Sequence, residues 1–353
     1  MNIMNRHTRI RVYGPDERQE HDSFYERKKG AEGMMPSNFT AFRKAERQFK
    51  KKIPDMEGVL DLAQLENDVR VRKLRKMECS PCCLRSDKEL FLYEVVNGGG
   101  FCFIPGALDE QQQRYWIRQA IVEFMRPPNS STLDAHYHIP EDGLYSCWKT
   151  KFPITLKRRE HPDDGEKRRA LPVNQTFNTE EVASLLIRKM RWTTLGYQYD
   201  WNTKEYNLDR NPIPFPTDLA IWCKEISNAA GFGDFVAEAG IVNMYQAGDT
   251  LIGHVDRSER NMNIPLISLS LGASCIYLLG GANRDDPVLP ILVRSGDVIF
   301  MSGPSRLYYH GVPRILDRNE HLFSPKVFLD EDTRGALEIL GSGRININVR
   351  QVQ

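Results

Sequence analysis

The chain has 353 residues, 41% hydrophobic and 27% charged, enough material for one large domain with an extension or for two small domains. Its 48 basic and 47 acidic side chains leave a formal charge of +1, so attraction to nucleic acid must come from local patches. Seven irregularly spaced cysteines without a signal peptide exclude a secreted disulfide scaffold, and no apolar run approaches the roughly 18–20 residues of a membrane span.

Residues 1–38 are polar and lack periodicity, and read as a flexible segment. A basic helical extension is expected over 39–97, opening with an amphipathic helix over 40–57. Across 40–76 eleven basic residues face six acidic ones. Two readings fit this stretch: a solvated helix packed on the main domain through Phe42 and Phe49, or a phosphate-facing patch. Cys79-Ser-Pro-Cys82-Cys83 has no second ligand pair at suitable spacing, so these are ordinary thiols. Gly98-Gly99-Gly100 leads into a short strand at Phe101–Pro105. Helical spacing runs from Asp109 to Met125 and stops at Pro127-Pro128. Residues 149–169 read as a loop with eight basic and four acidic side chains.

From about residue 236 the pattern changes to short strands separated by turns. The candidates are 241–245, 266–271, 275–279, 291–293, 298–301, 307–310 and 345–349, with Gly280-Gly281, Ser295-Gly296-Asp297 and Gly303-Pro304 between some of them. Many short strands with Gly-rich turns predict a mainly β protein with flanking helices, its core a double-sheet, jelly-roll architecture.

His254-x-Asp256 places two metal-binding side chains on the same side of one strand end, and His310 must arrive from another strand. Two imidazoles and a carboxylate make a three-sided ligand set for Fe(II) that leaves positions open for an organic acid and O2. In the last strand Arg344, Asn346, Asn348 and Arg350 alternate with Ile345, Ile347 and Val349. One face is therefore apolar and the other carries two guanidiniums, suited to a dicarboxylate because arginine donates in a planar fork. Asn243-Met-Tyr245 and Ser268-Leu-Ser270 show the same alternation.

Asn-x-Tyr, His-x-Asp, Ser-x-Ser-Leu-Gly, Ser-Gly-Asp-Val, Ser-Arg-Leu-x-Tyr-His-Gly-Val and Arg-x-Asn-x-x-x-Arg occur in that order. Together they resemble the AlkB-type Fe(II)/2-oxoglutarate dioxygenases over about residues 98–353. The run 191–201 and His254-Val-Asp-Arg-Ser-Glu259 are similar to the branch of the animal AlkB homologue one proteins. The resemblance implies a double-stranded β-helix (cupin-like) oxygenase core over 236–353. Residues 98–235 would then form the N-terminal part of the catalytic domain with a substrate lid. It further implies Fe(II) bound by His254, Asp256 and His310. In the co-substrate pocket, Arg344 would grip the distal carboxylate of 2-oxoglutarate with Asn243 and Tyr245, while Asn346 and Arg350 lie nearer the metal. No protein nucleophile is required. The implied reaction yields succinate and CO2 and, from N-methyl substrates, formaldehyde.

For the substrate, the resemblance implies methylated tRNA or DNA: tRNA 1-methyladenosine, tRNA 5-methylcytosine, or N6-methyladenine in unpaired or distorted DNA. A histone or protein demethylase or hydroxylase is the alternative. A base taken out of its stack needs π contacts and edge hydrogen bonds. Trp148, Trp192, Tyr197, Tyr199, Ser258 and Arg284 are the candidate contacts, with core packing the competing reading for Trp192 and a surface role for Arg284. Ser258 stands where the founding bacterial type has an acidic residue, so the base-edge contact differs here. The expected location is intracellular: nucleus, mitochondrion or cytoplasm. Residues 1–11 are mildly basic, but Asp16, Glu17, Glu20 and Asp22 follow at once, which is weak support for mitochondrial targeting.

Overall fold

A computed structural model describes residues 39–78, 80, 83–134, 137–150, 186–201, 203–209, 211–324 and 329–353. The segment expected to be flexible, 1–38, and nearly all of the basic loop 149–169 lie outside them.

Helix α1 spans Ala41–Phe49 and starts where the Thr40 hydroxyl accepts from the Arg43 N–H at 3.3 Å. It is shorter than the 40–57 helix expected from sequence. Lys50, Lys51 and Lys52 bring three like charges in succession, Ile53 is 86% exposed, and Pro54 disfavours a helical Ile53. Phe42 and Phe49 are buried against the sheet, the packing expected of this helix.

The rest of the 39–97 extension is largely strand and loop. It supplies β1 (Leu60–Asp61), β2 (Val71–Lys76) and β3 (Phe91–Val95), which pair into the same sheets as the later strands. Strand β4 (Phe101–Ile104) is buried throughout. Helix α2 (Glu110–Arg118) carries a capping box between Asp109 and Gln112 and runs on as a π-helical turn over Gln119–Phe124. Helix α3 (Gly143–Thr150) follows. Next come β5 (Trp192–Gly196) and the hairpin β6 (Tyr199–Asp200) with β7 (Glu205–Tyr206), then helix α4 (Thr217–Ala230).

The C-terminal third holds β8 (Ala239–Tyr245), β9 (Leu251–His254), β10 (Leu266–Leu279), β11 (Leu289–Val293), β12 (Val298–Met301) and β13 (His310–Arg318). Helix α5 (Glu331–Leu340) and β14 (Arg344–Arg350) complete it. Two sequence expectations change here. Residues 266–271 and 275–279 form one continuous strand, and 307–310 is not a strand: a 3-10 turn over Gly303–Leu307 delivers the chain to His310, where β13 begins.

The larger sheet has the order β2-β3-β4-β12-β10-β14-β8-β5. The smaller sheet joins β1, β11, β10, β13 and β9, so β10 belongs to both. The change of sheet falls near Gly272, where φ is +82° and a Cβ would stand 2.6 Å from the Gly343 carbonyl oxygen. Only glycine fits that bend.

Alternation along each strand separates two cores. Cys102 and Ile104 face the helices, while Phe101 and Phe103 face the second sheet. Likewise Ile345, Ile347 and Val349 join the helical core, which turns Arg344, Asn346, Asn348 and Arg350 toward the space between the sheets. This is a double-stranded β-helix with flanking helices, and its polar interior holds the site.

Candidate active site

Strand β9 ends at His254 and β13 begins at His310, and the two residues are direct cross-strand partners. Their ring centroids lie 4.4 Å apart. His254 Nδ1 lies 3.0 Å from the Ile252 carbonyl and His310 Nδ1 lies 3.1 Å from that of Tyr308. A carbonyl only accepts, so each Nδ1 carries the proton and each Nε2 keeps its lone pair for a ligand. Asp256 lies just beyond β9, with carboxylate oxygens 3.6 Å from His254 Nε2 and 4.0 Å from His310 Nε2. One ligand atom from each of the three falls within 4.8 Å of the others, the one such group of His, Cys, Asp and Glu among the described residues.

The charge states suit a divalent cation. Burial and the neighbouring His254 push His310 down to about 4, which keeps it a neutral imidazole. Burial alone would raise Asp256, but the Arg350 guanidinium outweighs it and holds the carboxyl well below its usual range. Arg350 Nη2 donates to Asp256 Oδ2 at 2.6 Å. Two neutral nitrogens and one anionic oxygen fit Fe(II).

Beside this group lies a wall of donors. Trp192, Asn243, Asn346 and Ser270 form one cross-strand row, and Tyr245, Arg344 and Gly272 the next. Arg344 is 3% exposed. It donates to the Ser270 hydroxyl at 2.8 Å and weakly to the Ala273 carbonyl at 3.4 Å, while its Nε is buried without a partner among the described residues. Arg350 Nη1 is likewise buried and unpartnered. Two guanidiniums with donors unused in the interior are the chemistry a dicarboxylate needs, so the residues present fit 2-oxoglutarate. The Asn346 amide is turned toward the Ser268 hydroxyl (2.8 Å) and the Leu269 carbonyl (3.2 Å).

The aromatic candidates separate. Trp192 packs on Trp201 at 4.7 Å, Tyr199 meets Trp201 and Tyr206 edge-on, and the Ser258 hydroxyl bonds Tyr199 Oη (3.3 Å) and the Lys204 carbonyl (3.0 Å). The β6–β7 hairpin is thereby docked two residues beyond Asp256. Tyr197 accepts from Gln353 and packs with Tyr199 against the cluster of Tyr206, Ala239 and Val352. Gly196, with φ +69°, breaks the strand between Trp192 and Tyr199.

Trp148 does not join this cluster. It stacks on Tyr145 at 5.8 Å, both beside Gly335 of α5, and belongs to the helical core. Its spacing within α3 is that of a packing residue. Arg284 lies over the Tyr309 ring at 4.9 Å, and its carbonyl accepts from the Phe42 N–H. It borders His310 through Tyr309.

Residues not singled out from sequence also line the site. Tyr277 stacks on His310 with centroids 5.9 Å apart and planes 14° apart, and its hydroxyl finds only the Met301 sulfur, at 3.4 Å, among the described residues. Glu259 joins Arg350 (2.7 Å) to Arg306 (3.0 Å), both Glu259 and Arg306 having side chains 2% exposed. The Ser-Arg-Leu-x-Tyr-His run contained Arg306, but its role needed the partner from another loop.

Residues 163–350 match the family described as the 2OG-Fe(II) oxygenase superfamily. Human nucleic acid dioxygenase ALKBH1 is 32% identical over 346 residues, covering 88% of this chain and 84% of that protein. DNA N(6)-methyladenine demethylase ALKBH1A of Arabidopsis thaliana is also 32% identical, covering 89% of this chain and 96% of its own. The tRNA demethylase abh1 of Schizosaccharomyces pombe is 32% identical over 88% of this chain and 95% of that protein.

Proposed function

The chain belongs to the AlkB family of Fe(II)/2-oxoglutarate-dependent dioxygenases, in the branch of the AlkB homologue one proteins, and on that premise we propose that it removes or oxidises methyl groups on nucleic-acid bases. Bound iron with O2 and 2-oxoglutarate supplies the oxidising power: the co-substrate leaves as succinate and CO2, and a methyl C–H becomes C–OH. When that carbon is on nitrogen, the C–N bond then breaks to give formaldehyde and the free amine.

His254, Asp256 and His310 hold the metal, their tautomers fixed by the Ile252 and Tyr308 carbonyls. Arg344, oriented by Ser270, takes the distal carboxylate of 2-oxoglutarate, with Tyr245 beside it on the neighbouring strand. Arg350 neutralises Asp256 from behind and keeps the carboxylate anionic. Tyr199, Trp192 and Trp201, brought to the Asp256 loop by Ser258, supply the aromatic surface against which an extruded base can rest.

The observation that carries this reading is the convergence of the three ligands with two buried, incompletely partnered arginines. Nucleic acid as substrate follows from the functions named for the relatives, which span DNA N6-methyladenine and tRNA. The test is mass-spectrometric turnover by iron-loaded protein with 2-oxoglutarate. Its substrates are tRNA carrying 1-methyladenosine or 5-methylcytosine and bubble DNA carrying N6-methyladenine. Loss or oxidation of one mark, absent with Asp256→Ala, supports the reading and selects the substrate. Succinate without change in any mark would remove these three substrates.

A further inference from the structure

Helix α1 lies outside the residues 163–350 that match the family, yet it touches both strand ends that carry the histidines. Strand β9 is four residues long and, among the described residues, pairs on one side only, with β13. An edge strand this short has little to fix it. Glu46, on α1, fills the gap: its Oε1 accepts the Gly253 N–H at 2.7 Å in a buried contact, and its Oε2 accepts from Arg43 at 2.8 Å. Gly253 immediately precedes His254.

Phe42, one turn earlier on the same helix, is 1% exposed. Its ring occupies the space a side chain at Gly253 would need, 2.2 Å from an ideal Cβ, and crowds Gly280 at 2.9 Å. It also meets the ring of Tyr309, the residue before His310, at 6.1 Å. The helix is pinned in turn by the turn 284–285, where the Arg284 carbonyl accepts from the Phe42 N–H and the Asp285 carboxylate from the Ala41 N–H. One helix thus abuts the residue that precedes each histidine, Gly253 at its backbone and Tyr309 at its ring.

We propose that Phe42 and Glu46 are positioning residues of the metal centre, setting the spacing of the two imidazoles through Gly253 and Tyr309. The inference rests on the ligand assignment made above. The backbone of His254 is held at 253 by Glu46, and its ring is held by the Ile252 carbonyl. Loss of the Glu46 acceptor frees the first constraint and leaves a buried N–H without a partner.

The test uses full-length protein titrated with Co(II), read by its visible absorption, beside thermal unfolding of the metal-free form. Glu46→Ala and Phe42→Leu are expected to bind Co(II) about tenfold or more weakly, the usual effect of removing a group behind a ligand. Glu46→Gln keeps an acceptor oxygen and is expected to bind close to wild type. A merely structural helix would lower the apo unfolding temperature and leave the Co(II) affinity of the folded variants unchanged; that outcome overturns the proposal. Should Glu46→Ala fail to fold, Phe42→Leu alone decides, by the same two outcomes. Asp256→Ala binding Co(II) as tightly as wild type would instead remove the ligand assignment itself.

Discussion

Arg350, from the last strand of the larger sheet, grips Asp256, from the loop after the edge strand of the smaller one, at 2.6 Å. The contact bridges the two sheets at the metal site and continues through Glu259 to Arg306. Two carboxylates and two guanidiniums therefore alternate in a buried row, each anion beside a cation. Such a row is costly to break from one side, because Glu259 and Arg306 are cut off from water and Asp256 is half-buried.

Arg350→Met should consequently destabilise the metal-free protein by about 3 kcal/mol, by leaving the buried Glu259 and the half-buried Asp256 without their shared cation. Urea unfolding of the apo form checks this. A change under about 1 kcal/mol would mean that water reaches the two carboxylates when the arginine is gone.

Arg344→Ala should raise the apparent KM for 2-oxoglutarate on the order of 100-fold, the loss expected for a charge-assisted pair in a buried setting. The KM for oligonucleotide should move far less. The opposite pattern would put Arg344 in the substrate site.

Tyr277→Phe removes one hydroxyl and no ring. Because that hydroxyl bonds only a thioether, stability should change by less than about 1 kcal/mol. If the hydroxyl serves the bound co-substrate beside His310, the KM for 2-oxoglutarate rises about three- to tenfold. An unchanged KM would leave Tyr277 as packing for the His310 ring.

Asp297 gives a pH signature. Burial pushes its carboxyl up to about 6, against the N–H groups of Arg294 and Gly106 that favour the anion. Its ordinary value is 3.8, so between roughly pH 4 and 6 the folded protein holds a proton that the unfolded chain has lost. The contribution is full below the lower value and is lost as pH rises through the window, on the order of 3 kcal/mol. Comparing wild type with Asp297→Asn at pH 4 and pH 7 isolates it. Wild type should lose more stability than the variant on going to pH 7, and equal losses would contradict the assignment.

What sequence conveyed follows from period and order. The alternation of Arg344, Asn346, Asn348 and Arg350 with apolar residues is a strand's own signature, and it placed both guanidiniums on the correct face. That His310 reaches His254 from another strand was legible because three ligands of one ion must meet; that the two are direct cross-strand partners was not. Trp148 could not be placed the same way, since an aromatic in an amphipathic helix looks alike whether it meets a base or a core; here it meets Tyr145. Helices α4 and α5 were not anticipated. Glu46 was hidden for another reason. A glutamate in a basic helix reads as surface charge, and its buried partner is a backbone N–H 207 residues away, which no side-chain pattern records.

The sharing of β10 between the sheets has a consequence for how the protein can vary. Ser268 and Ser270 stand on one arm of that strand and Tyr277 on the other, joined across Gly272. Adding or deleting one residue within 266–271 would turn the serines from the interior to the helical side. The bend would then lose its register with Gly343, and the arm that pairs with the His310 strand would shift with it. Changes of length must therefore fall outside the strand, in connecting turns. The Ser270 support of Arg344 and the Tyr277 ring against His310 are therefore inherited together, on one uninterrupted strand.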